Sequence, residues 1–160
     1  MIGVELERKF LVASLPAGID PVSSHISQGY LVIGRDGSEV RVRRRGDRTV
    51  LTVKQGSGLM RREVEIEISP ADFDRLWPLT EGARIEKRRH EIGLGGGLVL
   101  ELDVYEGALQ GLLVAEVEFP DVAAAERFIA PDWLGTEVTD DDAYKNRRLA
   151  TDGLPPAGDQ

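Results

Sequence analysis

At 160 residues, 41% of them hydrophobic, the chain is long enough for one domain with a core of ordinary size. Its formal net charge of −8 argues against nonspecific binding of nucleic acid or of an anionic membrane surface. With no cysteine, disulfides, thiolate zinc sites and a cysteine nucleophile are excluded. No apolar run approaches membrane-spanning length and no signal pattern opens the chain, so the expectation is a soluble cytoplasmic protein.

In chain order, period-two alternation predicts strands over Gly3–Val12, Gln28–Ile33, Glu39–Arg45, Thr49–Gln55, Arg61–Ile68, Ile85–Ile92, Leu98–Tyr105 and Leu113–Phe119. Gly34–Gly37, Arg45–Arg48, Gly56–Gly58 and Gly93–Gly97 read as hairpin loops between them. The Gly93–Gly97 run lies between two strand patterns and opens no helix, which makes it a hairpin rather than a phosphate cradle. Three segments read as helices: Ala71–Leu76 behind Ser69-Pro70, Val122–Ile129 behind Asp121, and Asp141–Ala150 behind Thr139 or Asp140. Residues 1–150 then form one domain, and Thr151–Gln160, rich in Pro, Gly and Asp, is expected to be a disordered tail. Many antiparallel strands with few helices point to an α+β barrel or strongly curved sheet.

Side chains two apart on a strand share a face. Glu5, Glu7 and Lys9 oppose Leu6 and Phe10; Arg41, Arg43 and Arg45 oppose Val40 and Val42; Thr52 and Lys54 oppose Leu51 and Val53. Arg61, Glu63 and Glu65 oppose Val64 and Ile66, Lys87 pairs with Arg89, Glu101 with Asp103, and Glu116 with Glu118. On one strand a charged face is ordinarily a solvated face. Seven strands with the same habit can instead line an interior, with the apolar faces packing outward on helices. Alternation alone leaves both closures open. A charged lumen is costly unless its charges are paired or hold a ligand. Arg41, Arg43, Lys54, Arg61, Lys87 and Arg89 suit phosphate oxygens, whereas Glu5, Glu7, Glu116 and Glu118 are hard ligands of the kind that hold Mg²⁺ or Mn²⁺. Carboxylates would repel a bare polyphosphate, so the mixture points to metal-assisted phosphoryl chemistry.

These residues carry a resemblance. Glu5-Leu6-Glu7-Arg8-Lys9 resembles the N-terminal Glu-x-Glu-x-Lys signature of the CYTH, or triphosphate tunnel metalloenzyme, family. Gln28-Gly29-Tyr30-Leu31, Arg41-x-Arg43, Thr52-Val53-Lys54, Arg61-x-Glu63-x-Glu65 and Glu86-Lys87-x-Arg89 follow in family order. Glu101-Leu102-Asp103, Glu116-x-Glu118 and the closing Val138-Thr139-x-Asp141-x-x-Tyr144-Lys145-Asn146 complete the set, to about residue 150. The resemblance implies a closed antiparallel eight-stranded β-barrel with flanking helices, a small-molecule triphosphate substrate and an essential divalent cation, Mg²⁺ or Mn²⁺. By position it places Arg41, Arg43, Lys54, Arg61, Lys87 and Arg89 at the phosphates and Glu5, Glu7, Glu116 and Glu118 at metal, with Lys9, Tyr30 and Lys145 as further candidate substrate contacts.

Lys87 is the candidate catalytic residue, orienting water or protonating the leaving oxygen; an ordinary phosphate contact is its other reading. Tyr30 either hydrogen-bonds substrate or packs, and Lys145 sits in a C-terminal helix that could close one end. His25 and His90 make a poor metal site, and Trp77 and Trp133 read as core. The expected activity is metal-dependent hydrolysis of inorganic triphosphate by direct water attack, in a monomer or homodimer without nucleic-acid or membrane partners. Class IV adenylyl cyclase, thiamine triphosphatase and a non-catalytic polyphosphate- or nucleotide-sensing module are the rivals.

Overall fold

Among the described residues the alternating segments become nine antiparallel strands: β1 (Ile2–Gly3), β2 (Glu7–Leu11), β3 (Ser24–Ile33), β4 (Glu39–Arg45), β5 (Arg48–Gln55), β6 (Arg61–Glu67), β7 (Arg84–Gly95), β8 (Leu98–Tyr105) and β9 (Leu113–Glu118). Three short α-helices accompany them, α1 (Pro70–Leu76), α2 (Val122–Arg127) and α3 (Asn146–Asp152). The structure, a computed structural model, describes residues 2–3, 6–19, 22–56 and 61–156, without the side chains of 2, 3 and 61.

Ser69 and Asp121 cap α1 and α2 as expected, accepting from Asp72 N at 3.0 Å and from Ala124 N at 2.7 Å. The expected helix over Asp141–Ala150 is broken. Asp141 accepts from Ala143 N at 3.0 Å and caps one 3₁₀ turn, Asp142–Tyr144, before Lys145 returns to extended backbone (φ −69°, ψ 139°) and α3 begins. The aspartate thus offers the backbone a local alternative to a continuous helix. Thr151 and Asp152 belong to α3 rather than to the tail, and 157–160 lie outside the described residues.

The expected closed eight-stranded barrel does not form. The sheet order is β1-β6-β5-β4-β3-β7-β8-β9-β2, an open sheet with β1 and β2 at its edges. Closure needs one strand paired on both sides over the same residues. Instead the N-terminal segment is divided: Ile2–Gly3 pair with β6 and Glu7–Leu11 with β9. The other side of β2 is taken by residues 135–139. Gly135 N donates to Leu11 O at 2.7 Å, Leu11 N to Thr136 O at 2.9 Å and Val138 N to Lys9 O at 2.8 Å. The edge that would close the barrel is therefore already satisfied, which also shields it from foreign strands. Gly3 and Glu7 are joined by four peptide units, so the two edges approach within roughly 14 Å there and the sheet must curl.

The curl settles which face is inside. On the outer face, Val53, Val64 and Ile66 are 38%, 56% and 51% exposed. Elsewhere that face is covered: α2 and the following segment pack Ala124, Ala125, Phe128 and Trp133 over Leu100, Leu102, Ala115, Val117 and Phe119. α1 buries Phe73 against β4 and β5, with the Arg44 guanidinium 4.4 Å from its ring centre. The inner face carries the charges. It also carries a second apolar cluster, Tyr30, Ile85, Tyr105, Leu109, Val114 and Leu149, beneath α3.

Gly29 on β3 is pressed against the 3₁₀ turn Trp77–Thr80, where an added Cβ would meet Thr80 Oγ1 at 2.5 Å. Thr80 cannot swing away freely, because its hydroxyl donates to Trp77 O at 2.6 Å and accepts from Arg84 Nε at 2.9 Å. Gly29→Ala is expected to lower stability by about 1–3 kcal/mol, the cost of overpacking. Urea unfolding checks it, and an unchanged midpoint would show that the turn yields.

Candidate active site

The inner face surrounds a cavity of about 200 Å³. That is smaller than the ~300–1,000 Å³ of drug-sized sites and suits a compact ligand. Its wall takes Glu7 and Lys9 from β2, Gln28 and Tyr30 from β3, Glu39, Arg41 and Arg43 from β4 and Lys54 from β5. Arg89 of β7, Glu116 and Glu118 of β9, and Lys145, Asn146 and Arg147 complete it. Most of the expected site residues thus meet at one place. Glu5 lies outside the described residues, as does the Arg61 side chain.

Lys87 is the departure. It is 1% exposed, lies behind the wall rather than on it, and donates to Asp103 Oδ2 at 2.8 Å. Asp103, 0% exposed, also accepts from Arg89 Nε at 2.8 Å and Arg89 Nη2 at 2.9 Å. One carboxylate therefore orients two cations, leaving Arg89 Nη1 to pair with Glu101 at 2.6 Å. Burial alone would raise the Asp103 carboxyl, but Lys87 and Arg89 outweigh it and hold the group at about 2. Burial, and then Arg89, push the Lys87 ammonium down against the pull of Asp103.

Arg43 reports the character of the wall. Burial and its neighbours Arg41 and Arg89 depress its guanidinium, as expected where cations crowd together short of anions. Arg41 pairs with Glu39 at 3.3 Å, yet its Nε is buried without a hydrogen-bond partner. A buried donor left unmade costs about 1–3 kcal/mol, a local expense of packing the guanidinium into a charged wall. Tyr30 accepts from Gln28 Nε2 at 2.9 Å, and burial pushes its hydroxyl up to about 12, which keeps it a donor at neutral pH.

Gln28, Glu39, Asn146 and Arg147 line the site although the charge alternation had not singled them out, and Asp103, which it did place on a charged face, had been given no role. Glu39 falls on the same alternating face as Arg41 and could have been read there. Asn146 and Arg147 enter from the C-terminal segment, where strand periodicity says nothing.

On β2 and β9, Glu7 lies opposite Glu118 and Lys9 opposite Glu116, with Lys9 Nζ 3.3 Å from Glu116 Oε1. Among the described residues no three His, Asp or Glu side chains converge as a ready metal cage. Mg²⁺ is ordinarily held by one or two carboxylates plus substrate phosphates, and the oxygen donors of β2 and β9 fit that pattern.

Asp103 ionises lower in the folded chain than the ~3.9 of an unfolded aspartate. Its contribution to stability is therefore present above about pH 4 and fades as pH falls toward 2. Asp103→Asn should flatten this part of the stability–pH curve in urea unfolding and cost about 3–5 kcal/mol at pH 7, because Lys87 is left buried and uncompensated. A double change with Lys87→Met should cost less than the sum of the two single ones. Additive losses would show that the pair is not coupled.

No protein-family model matches the chain. An inorganic triphosphatase of Nitrosomonas europaea is 47% identical over 146 residues, covering 91% of this chain and 96% of that protein. An inorganic triphosphatase of Acetivibrio thermocellus is 39% identical over 155 residues, covering 92% and 94%. A solved inorganic triphosphatase structure superposes with a TM-score of 0.73 at 44% identity, covering 92% of this chain and 94% of that one. A putative adenylyl cyclase from Hippeastrum, described as having a dominant triphosphatase activity, shares the fold at 17% identity, with a TM-score of 0.56 and 76% and 82% coverage.

Proposed function

The chain belongs to the CYTH family of inorganic triphosphatases, and from that premise we propose that its inner face binds inorganic triphosphate and hydrolyses it with a divalent cation. It is an enzyme, a hydrolase of phosphoanhydride bonds. The observation that carries the assignment to this cavity is the convergence of Arg41, Arg43, Lys54 and Arg89 with Glu7, Glu116 and Glu118 on one wall.

Arg41, Arg43, Lys54 and Arg89 hold the phosphates, with Arg89 oriented by Asp103. Arginine forks match phosphate oxygens in pairs, whereas Lys54 acts as a point charge. Arg61 and Glu5 keep the phosphate and metal roles the family resemblance gives them. Glu7, Glu116 and Glu118 would hold Mg²⁺ or Mn²⁺, and the ion bound there would neutralise phosphate oxygens and acidify water. Water then attacks a terminal phosphorus, the bridging P–O bond breaks, and phosphate and pyrophosphate leave. Of the two roles open to Lys87, its position favours charge support: at 1% exposure it lies behind the lining residues, paired with Asp103 at 2.8 Å. The proposal extends to a cytoplasmic monomer or homodimer with no nucleic-acid or membrane partner. In its support stand the net charge of −8 and, among the described residues, no helix long and apolar enough to cross a membrane.

Phosphate release from tripolyphosphate, pyrophosphate, ATP and thiamine triphosphate with Mg²⁺ and Mn²⁺, with cyclic AMP followed in parallel, tests the reading. Tripolyphosphate should be the fastest substrate and cyclic AMP should not form. Glu118→Gln should lower kcat by roughly 10²-fold or more, the scale of losing several kcal/mol of charge stabilisation, with the melting temperature unchanged. Glu116→Gln should lose activity likewise, with some added cost in stability from the buried Lys9 that it strips of its ion pair. Full turnover by either variant would remove that carboxylate from the mechanism.

A further inference from the structure

Tyr105 stands behind the cavity wall rather than on it and is 2% exposed. Its ring packs with Tyr30, Ile85, Leu109, Val114 and Leu149, and the Lys87 ammonium lies 5.5 Å from the ring centre. Its backbone is tied down as well, with Tyr105 N donating to Leu112 O at 3.0 Å. The hydroxyl is therefore delivered to a fixed place, where it donates to Asn146 Oδ1 at 2.7 Å. Asn146 is the first residue of α3 and, unlike Tyr105, lines the cavity. Leu149, three positions on and so on the same helix face, is buried in the cluster around Tyr105, which keeps Asn146 facing the hydroxyl.

An asparagine amide has an acceptor end and a donor end, and one hydrogen bond decides which of them is left to face outward. With Oδ1 taken by Tyr105, the end left over is Nδ2, and among the described residues no protein group accepts from it. A flipped amide could donate to the Tyr105 oxygen instead. The Tyr105 proton would then be buried without an acceptor, which is the costlier arrangement. Burial holds the Tyr105 hydroxyl well above the ordinary tyrosine range, so that proton stays in place at neutral pH. For an anionic ligand the difference is one of sign: N–H donors at the wall attract phosphate oxygens, and a carbonyl oxygen repels them. Resting on the triphosphatase reading, we propose that Tyr105 is a positioning residue, which fixes the Asn146 amide so that its donor end serves the triphosphate.

Calorimetric titration with tripolyphosphate, steady-state kinetics and the side-chain amide signals of Asn146 in NMR test this. Tyr105→Phe keeps the ring and removes the donor. It should weaken tripolyphosphate binding and raise KM by about 3- to 10-fold, the scale of one net hydrogen bond, with kcat within about threefold. Asn146→Ala, at a partly exposed helix start that should fold normally, should weaken binding by about 10-fold or more, because a bond to a charged group is lost. Asn146→Asp keeps an acceptor for Tyr105 but puts a negative charge where the donor was, and should bind more weakly still. Tyr105→Phe combined with Asn146→Ala should bind no more weakly than Asn146→Ala alone, since Tyr105 acts through that amide. Tripolyphosphate should shift the Asn146 Nδ2–H signals of the unaltered chain, and Tyr105→Phe should reduce that shift. Unchanged binding by Tyr105→Phe overturns the proposal, as do losses that add in the double change, or an Asn146→Asp chain that binds as tightly as the unaltered one. An unaltered chain that binds tripolyphosphate but releases no phosphate with either metal sinks the hydrolytic reading alone. One that does not bind tripolyphosphate sinks both.

Discussion

Asp103 is the point on which the inner face turns. A sheet that directs its charges inward must neutralise them without water, and a carboxylate at 0% exposure between Lys87 and Arg89 does so for two cations of β7 at once. The arrangement is stable as a set and poor in pieces, since removing one partner leaves an uncompensated buried charge. It also has direction. With both Asp103 oxygens engaged, the Arg89 fork is held against rotation, and the Lys87 ammonium lies 5.5 Å from the centre of the Tyr105 ring. Tyr105 in turn donates to Asn146, so the charge cluster reaches the C-terminal closure through one aromatic side chain.

Three other pairs of the inner face are held differently. Glu63, Glu65 and Glu101, the partners of Lys54, Arg43 and Arg89, each keep about a third of their side-chain surface in solvent (32% each). Partly exposed pairs of this kind contribute little net stability. They can therefore open at small cost when a stronger anion arrives, whereas Asp103 cannot be displaced. On the function proposed above, triphosphate binding would exchange weak, solvated partners for phosphate oxygens while one buried carboxylate keeps the geometry. This is preorganisation with the reorganisation confined to the rim.

Much of this was legible in the chain. Alternation placed Arg41, Arg43, Lys54, Arg89, Glu7, Glu116 and Glu118 on one face, and the exposed Val53, Val64 and Ile66 show which of the two possible closures the fold takes. What alternation does not encode is which edge pairs with which. The covering of β2 by residues 135–139 depends on a non-periodic segment, and that covering is why the sheet stays open. Lys87 was visible as an inward cation, but not as one buried behind Arg89. That depends on Asp103 directly opposite Arg89 on β8, a cross-strand relation that no single strand states.

The two ends of the chain meet at the site, and this joins folding to function. Lys9 touches Glu116 of β9 and the carbonyl of Tyr144, while the backbone of β2 is clasped on one side by β9 and on the other by residues 135–139. The carboxylates of β2 and β9 are thus set by a strand that the C-terminal segment helps to hold in place. That same segment brings Asn146 and Arg147 to the cavity wall and buries Leu149 beside Tyr30 and Tyr105. A local loosening of this segment would unmake the edge and the floor together, so the cavity and its carboxylate shelf should appear and disappear as one cooperative unit.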